Sequence, residues 1–427
     1  MGLLAALALL FWSTAAIADP DAFSRPLPFL SDNDRATVHL SNSLFRKSWR
    51  PAPSATTASD GLGPLYNARS CADCHFRDGR GRPPNTGERA LSLLLRLAPA
   101  DPIYGRQLQN NAVDGHQPEG QVRVRYVERT VMLSGGEVVR LRKPIFGVEG
   151  ETYGPLAPAT QLDPRLAPPV FGLGLLEAIS EQDILAGADP QDRDGDGISG
   201  RSAIVDGAVG RFGWKAGQLS IANQNAKALF LDIGIGNRRH PALWGDCTTA
   251  QTECQAGPHG DSPRHDGLEV SDKVLGHLTF YLQGIAPPLP RNTNAPEVQT
   301  GARLFTEIGC AACHRPYWRT GNTHPLAVLH ERNIQPYTDL LLHDMGDALA
   351  GGAEDTATAR EWRTAPLWGI GLTQAVSGHA FYLHDGRARS LTEAILWHGG
   401  EAQAARDRFA ALAKRRRDAL LAFLASL

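Results

Sequence analysis

Two short stretches of the sequence carry residue types and a spacing that could hold iron porphyrins. In each, two cysteines separated by two residues are followed directly by a histidine: Cys71, Cys74 and His75 in the first motif, and Cys310, Cys313 and His314 in the second. The C-x-x-C-H spacing is typical of c-type haem attachment. Two thiols about one helical turn apart reach the two vinyl groups of one porphyrin, and the adjacent imidazole binds the iron. We therefore predict two covalently bound haems c.

Two other uses of paired cysteines fit less well. A zinc site would more naturally join all four thiols, but the two pairs lie far apart in the sequence and each is followed by a histidine. A thioredoxin-like dithiol would not require that histidine. The prediction of two haems is therefore kept.

The composition is that of an ordinary globular chain. Its 427 residues suffice for two or three domains with sizeable cores, since 42% are apolar and 21% are charged. The formal net charge of -2 shows no excess of basic residues of the kind that nucleic-acid binding needs, so we expect no nucleic-acid partner. The 44 glycines and 29 prolines predict many turns and long ordered loops.

The first 18 residues resemble an export signal. An apolar run from Leu3 to Ile17 ends in a small-residue cleavage pattern, so we expect cleavage after Ala18. The run is too short to span a bilayer comfortably. No Lys or Arg precedes Leu3, which departs from the usual pattern, and an uncleaved membrane anchor is the alternative.

Two cysteines, Cys247 and Cys254, lie outside the haem motifs. In an exported protein such a pair most often forms a disulfide, which here would close a small surface loop. Two free buried thiols are the alternative. The export signal, the haem motifs and the disulfide together predict a periplasmic protein.

Three further features carry specific expectations. Gln121 to Arg142 alternates apolar and polar residues around a Ser-Gly-Gly turn, which predicts a β-hairpin. Trp214 is a candidate electron relay between the haems, with ordinary core packing of a large aromatic as the alternative. Three arginines after the first motif are candidates for pairing with haem propionates, with a solvated basic loop as the alternative: Arg77, Arg80 and Arg82.

An acidic loop resembles the first half of a calcium site. Asp192, Asp194 and Asp196 stand at every second position with glycines close by. The glutamate that closes an EF-hand is missing, so this would be a different type of calcium site. A solvated turn is the alternative.

The proline-rich stretch from Pro287 to Asn294 is the clearest linker in the chain. We therefore expect an N-terminal haem domain at 19–289 and a C-terminal haem domain at 290–427. The closing stretch from Asp407 to Leu427 predicts an amphipathic helix with the basic run Lys414 to Arg417 on its solvated side. A docking patch for an acidic partner is the alternative use of that run.

The C-terminal quarter resembles the haem domain of bacterial dihaem cytochrome c peroxidases and of their relatives that modify methylamine dehydrogenase. Within that superfamily the chain is most similar to the dihaem oxidoreductases often labelled thiol oxidoreductases. The matching stretches are Asp192 to Gly200, Gly210 to Lys215, Tyr337 to Met345, Glu361 to Gly369 and His384 to Ala402. We expect a mainly α fold, in which two cytochrome c-like haem domains carry long loops and a small β-hairpin insertion.

The resemblance also implies the iron ligands. The helix from Ser390 to Trp397 would carry the sixth ligand of the second haem, at or next to His398, and Met345 is the competing ligand. For the first haem, His75 is the proximal ligand. The spacing of four further candidates selects none of them as its sixth ligand: His116, Met132, His240 and His265.

By analogy with the peroxidases, hydrogen peroxide would react at the N-terminal haem. The C-terminal haem would take electrons from a small redox protein or a quinol-linked cytochrome. Four glutamates are candidates for the acid–base group that this chemistry needs: Glu119, Glu128, Glu149 and Glu177. The rival functions are a non-catalytic electron-transfer cytochrome and thiol oxidation, which the sequence disfavours because the close cysteine pairs are used for haem.

Overall fold

The computed structural model describes residues 19–56 and 59–427. The expected export signal, residues 1–18, lies outside the described residues. In the described part, no helix has the length and apolar character needed to cross a membrane.

The helices are short and are separated by long loops. They are α1 (Asp32–Phe45), α2 (Cys71–Cys74), α3 (Leu173–Glu177), α4 (Glu181–Ala186), α5 (Ile221–Asp232), α6 (Thr252–Gln255), α7 (Asp272–Gly284), α8 (Pro296–Glu307), α9 (Thr373–Ser377), α10 (Leu391–Trp397), α11 (Gln403–Ala411) and α12 (Lys414–Ser426).

The strands form several small sheets. They are β1 (Arg50–Pro51), β2 (Asp60–Leu62), β3 (Leu65–Tyr66), β4 (Leu93–Asp101), β5 (Gly105–Gln107), β6 (Asn111–Ala112), β7 (Gln121–Met132), β8 (Val138–Glu149), β9 (Gln161–Leu166), β10 (Ala203–Val205), β11 (Ala208–Gly210), β12 (Trp318–Arg319), β13 (Asn333–Ile334), β14 (Leu342–Asp344) and β15 (Glu361–Arg363).

The expectation of a mainly α, cytochrome c-like fold is wrong. The chain is 30% helical and 20% strand, with many small sheets. Part of the reason is the segment between the first haem motif and α3, where β4 pairs with β5 and β9 and buries Leu93, Leu95 and Leu97 on one face. Period-2 burial of this kind favours strands, and the frequent glycines and prolines keep the helices short.

The predicted β-hairpin is confirmed. Strands β7 and β8 pair antiparallel without a register shift, from Gln121 opposite Glu149 to Met132 opposite Val138. The hairpin reaches the C-terminal part of the chain, because Leu133 and Leu141 are buried in the same core as α8, α10 and α12.

The apolar side chains form two large cores. The first contains α1, α3, α5 and α7 and also receives Trp318, Leu341 and Trp368 from the C-terminal part. The second is built from α8, α10, α11 and α12. In it, α8 and α12 approach closely, since a Cβ on Gly301 would lie 2.0 Å from the carbonyl oxygen of Ala419. The domain boundary between 289 and 290 stays a prediction.

The closing segment forms two helices, α11 and α12, interrupted at Leu412 and Ala413. Its basic run is not wholly solvated. The Arg417 side chain is buried, donates to the carbonyl oxygen of Ser134 and pairs with Glu137 of the hairpin turn. This arginine therefore anchors the hairpin rather than presenting a docking patch.

Candidate functional site

The first cysteine motif is held by a capping box. The Ser70 hydroxyl accepts from the Asp73 amide at 3.1 Å, and the Asp73 carboxylate accepts from the Ser70 amide at 3.0 Å. This reciprocal pair starts the single turn α2. The turn places the thiols of Cys71 and Cys74 on the wall of a cavity of about 220 Å³, next to His75.

His75 is oriented as an iron ligand would be. Its Nδ1 bonds the carbonyl oxygen of Pro168 at 2.7 Å, which leaves Nε2 free. Burial lowers its pKa to about 4, so the imidazole is neutral at ordinary pH. Among the described residues that line this first cavity, His75 is the only histidine and there is no methionine.

The second motif follows α8 through Gly309, whose φ of 94° is a left-handed conformation that favours glycine. Cys310 and Cys313 line a second cavity of about 350 Å³ together with His314. His314 Nδ1 bonds the carbonyl oxygen of Tyr337 at 3.0 Å, and burial lowers the pKa of His314 to about 4. The two motifs thus place equivalent groups in two separate cavities.

His398 lines the second cavity at the end of α10. Its Nδ1 bonds the carbonyl oxygen of Ala394 at 2.8 Å, so its Nε2 is as free as that of His75 and His314. Burial lowers its pKa. The cavity therefore combines two neutral imidazoles that are each held through Nδ1. Met345 also lines it, so the structure brings both sixth-ligand candidates to the second haem site.

His343, another lining residue, is committed elsewhere. Its Nδ1 bonds Glu401 at 2.6 Å and its Nε2 bonds Asp339 at 2.8 Å. Asp339, Cys313 and Glu401 together outweigh burial and raise the pKa of His343 to about 12. An imidazolium with both nitrogens occupied cannot bind iron.

The two cavities share a wall. The residues that line both are Arg80, Pro169, Phe171, Trp214, Arg363, Ala365, Pro366 and Trp368. Trp214 is fixed there by a 2.8 Å hydrogen bond from Nε1 to the carbonyl oxygen of Leu166. Trp214 therefore lies between the cavities, and its role as an electron relay stays a prediction.

The shared wall contains an internal repeat that the sequence reading missed. Pro169-Val170-Phe171-Gly172-Leu173-Gly174-Leu175 corresponds to Pro366-Leu367-Trp368-Gly369-Ile370-Gly371-Leu372. The two copies pack reciprocally, because the nearest neighbours of a Cβ on Gly172 would be Trp368 atoms and those of a Cβ on Gly369 would be Phe171 atoms. The shared spacing of Pro, aromatic residue and glycines was the signal that could have revealed it.

A second repeated unit leads into α5 and α10. An isolated bridge joins Phe212 to Gln218 before α5, and another joins Tyr382 to Ala388 before α10. Serine caps both helices, as Ser220 and Ser390. Counted from the two caps, the equivalents are Trp214 with His384 and Ala228 with His398. Ala228 lines the first cavity where His398 lines the second.

The other sequence candidates lie away from the first cavity. None of the four candidate ligands, His116, Met132, His240 and His265, lines it. Neither do the four candidate acids, Glu119, Glu128, Glu149 and Glu177. Two carboxylates not singled out from the sequence do line it, Asp232 and Glu354. Glu354 is ion-paired with Lys227 and Arg165. Together with Arg96 these cations hold its pKa far below the ordinary value.

A family model described as "di-haem oxidoreductase, putative peroxidase" matches residues 14–100 and 103–427. The chain belongs to this family. No curated protein matches the chain at a significant level. Among solved structures, the chain is similar to Kuenenia stuttgartiensis hydrazine synthase pressurized with 20 bar xenon, at 13% identity over 100% of both chains and a TM-score of 0.32.

The residues of this di-haem oxidoreductase fit one haem in each cavity. Each cavity wall carries two thiols and a neutral histidine with a free Nε2, which are the donors that such a cofactor uses. Burial raises the pKa of Cys71 and of Cys310 to about 12. A sulfur bonded to haem is a thioether, so cysteines used for attachment would not be available for thiol oxidation.

The remaining site residues lie outside the cavity walls or at their edge. Cys247 and Cys254 form the predicted disulfide. The carboxylates of Asp192, Asp194 and Asp196 come together, with one oxygen of each within 4.8 Å of the others, and calcium there stays a prediction. Asp196 also lines the second cavity.

Proposed function

We propose that this di-haem oxidoreductase is an exported c-type enzyme of peroxidase type, with peroxide reduced at the first cavity and electrons entering at the second. The family membership supports the oxidoreductase class, and the two cysteine motifs support covalent attachment. Haem c, when bound, supplies one-electron transfer and the cleavage of the peroxide O–O bond.

The single observation that carries the proposal is the difference in available iron ligands. The first cavity offers His75 alone, and the position equivalent to His398 is Ala228. The second cavity offers His314 and His398, each with a free Nε2. Its other two histidines are used differently, since His343 lies between two carboxylates and His384 is stacked on Trp362. A site with one protein ligand leaves room for a small oxidant, whereas a site with two is suited to electron transfer.

Asp232 is the proposed proton donor. Reduction of one hydrogen peroxide to two waters consumes two electrons and two protons, so a proton source is needed near the first cavity. The Asp232 carboxyl lines that cavity and accepts a 2.9 Å hydrogen bond from Gln107 Nε2. Burial raises its pKa, which favours the protonated acid.

Trp214 is the proposed relay between the cavities, on the basis of its place in their shared wall. We further propose cleavage of the signal after Ala18, residence in the periplasm, and a small redox protein or quinol-linked cytochrome as donor. The Cys247–Cys254 disulfide supports an oxidising compartment. We also propose that the loop around Asp194 binds calcium.

The test uses protein matured by a c-type cytochrome assembly system. Electron paramagnetic resonance and cyanide titration are expected to find one high-spin and one low-spin haem, with cyanide bound by the first alone. Hydrogen peroxide should be consumed with an artificial reductant. Two low-spin haems in every redox state, inert to both reagents, would instead establish an electron carrier.

A further inference from the structure

Two half-buried arginines in the shared wall have no carboxylate partner among the described residues. Arg80 and Arg363 each line both cavities. Within residues 19–56 and 59–427, no carboxylate lies within ion-pair distance of either guanidinium. Two buried arginines elsewhere are paired, Arg387 with Asp385 and Arg165 with Asp163, whereas Arg142 is buried without a carboxylate partner in the described part of the chain.

The hydrogen bonds of the two guanidinium groups all go to backbone carbonyl oxygens, and Arg80 also lies over the ring of Trp214 at 5.6 Å from its centroid. Arg80 Nη1 donates to Leu383 at 2.9 Å. Arg363 donates to Gly213 through Nε at 3.0 Å and to Thr364 through Nη1 at 3.1 Å. Burial lowers the pKa of both arginines to about 10, so both stay charged at neutral pH. Two positive charges thus line the cavities, offset by backbone dipoles, by the Trp214 ring beside Arg80 and by Asp339, which lies beyond ion-pair distance of Arg363. A charge without an ion-pair partner is costly where water is excluded.

We propose that Arg80 and Arg363 bind haem propionates, one from each haem, at the wall that the cavities share. This rests on the two haems of the proposed function. A guanidinium binds a carboxylate through two parallel hydrogen bonds and is the side chain best suited to such a group. Of the other two arginines after the first motif, Arg82 pairs with Glu88 at the surface and Arg77 is exposed.

The proposal predicts a shared electrostatic effect. A fixed positive charge beside both haems stabilises their reduced forms and so raises both midpoint potentials. It also keeps the propionates ionised, so the potentials should vary little with pH. Because both arginines lie in the shared wall, removing either one should be felt at both haems.

The experiment is a potentiometric titration of each haem at several pH values, on the full chain with haem content checked beforehand. Arg363→Gln and Arg80→Gln are expected to lower both midpoint potentials and to introduce a pH dependence absent from wild type. Arg363→Lys should retain most of the wild-type potential, since it keeps the charge. The matched controls, Arg360→Gln and Arg82→Gln, remove exposed arginines that line neither cavity and should change nothing.

Unchanged potentials in both glutamine variants would overturn the proposal, as would a shift confined to one haem. A Lys variant that behaves like the Gln variant would also overturn it, because charge would then not be the cause. The measurement needs no peroxide, so failure of the peroxidase assignment leaves it standing. Fewer than two haems per wild-type chain would instead refute the proposed function.

Discussion

The two cavities carry the same attachment residues but are lined by different residues elsewhere. His75 and His314 each bond a backbone carbonyl through Nδ1 and present a free Nε2. Beyond that the cavities diverge, because α10 ends at His398 in the second, while α5 continues past Ala228 in the first. The helix that lines each cavity, α5 or α10, therefore decides whether the site has one ligand or two.

This difference indicates how one repeated unit can serve two roles. The serine-capped helices α5 and α10 follow similar turns, and the aromatic side chain before each helix also differs, as Trp214 and His384. His384 stacks on Trp362 with ring centroids 3.8 Å apart, and Trp214 lies edge-on to His384 at 6.5 Å. A few substitutions on a shared scaffold would thus distinguish the proposed reactive site from the proposed electron-entry site.

The largest expected effect comes from giving the first cavity the second ligand. Ala228→His places an imidazole at the position equivalent to His398. We expect the high-spin signal to disappear and nearly all peroxide consumption to be lost, because the open iron position is filled. Ala222→His, which is on the same helix but lines neither cavity, is the control. A variant that keeps both the high-spin signal and the activity would contradict the equivalence of Ala228 and His398.

The reciprocal change removes the second ligand. His398→Ala is expected to convert the low-spin haem to high spin and to make it bind cyanide. Met345→Leu, the control for the competing ligand, should leave the spectrum unchanged. If the Met345 variant alone changes the spectrum, the ligand has been assigned to the wrong residue.

Removing the proposed acid should slow catalysis without altering ligation. Asp232→Asn keeps the shape of the side chain and loses its proton, so we expect kcat/KM for peroxide to fall by about 10²–10⁴-fold. Glu128→Gln, an acid candidate outside both cavity walls, should have no effect. If the Asp232 variant has normal activity, another group must supply the proton for peroxide reduction.

Much of the difference between the two cavities could be predicted from the sequence, but the residues that line their walls could not. The cysteine motifs, the hairpin, the disulfide and the position of His398 follow from local spacing or from the family resemblance. The carboxylates of the first cavity could not be found in this way. Asp232 lines that cavity because of how α5 packs, which no local pattern encodes. The mainly α expectation failed because the family's haem motifs say little about the strand-rich segment between them.

The second cavity also contains a fixed cation, His343 between Asp339 and Glu401. Replacing it by Gln leaves two carboxylates facing each other in the interior and is expected to cost about 3–5 kcal/mol of stability. The pKa of His343 is raised from 6.5 to about 12. Its stabilising contribution is therefore fully present below pH 6.5 and is lost as the pH rises towards 12.

Thermal unfolding of wild type and His343→Gln across that range measures this effect. The difference in stability should be largest near pH 6 and should shrink as the solution becomes alkaline. Replacement of the exposed His39 by Gln provides a baseline. A difference that grows with pH would mean that the imidazole is neutral in the folded protein.

The smallest expected change in stability tests the link between the cavities. Trp214→Phe keeps an aromatic ring in the shared wall but loses the hydrogen bond to the carbonyl oxygen of Leu166, which is worth about 1 kcal/mol. If Trp214 carries electrons, electron transfer between the haems after rapid reduction of the second haem should slow well beyond what so small a structural cost explains. Trp318→Phe loses a comparable hydrogen bond outside both cavity walls and should leave that rate unchanged. Equal rates in wild type and Trp214→Phe would mean that the two cavities exchange charge without this side chain, and the contrast between them would then rest on their iron ligands alone.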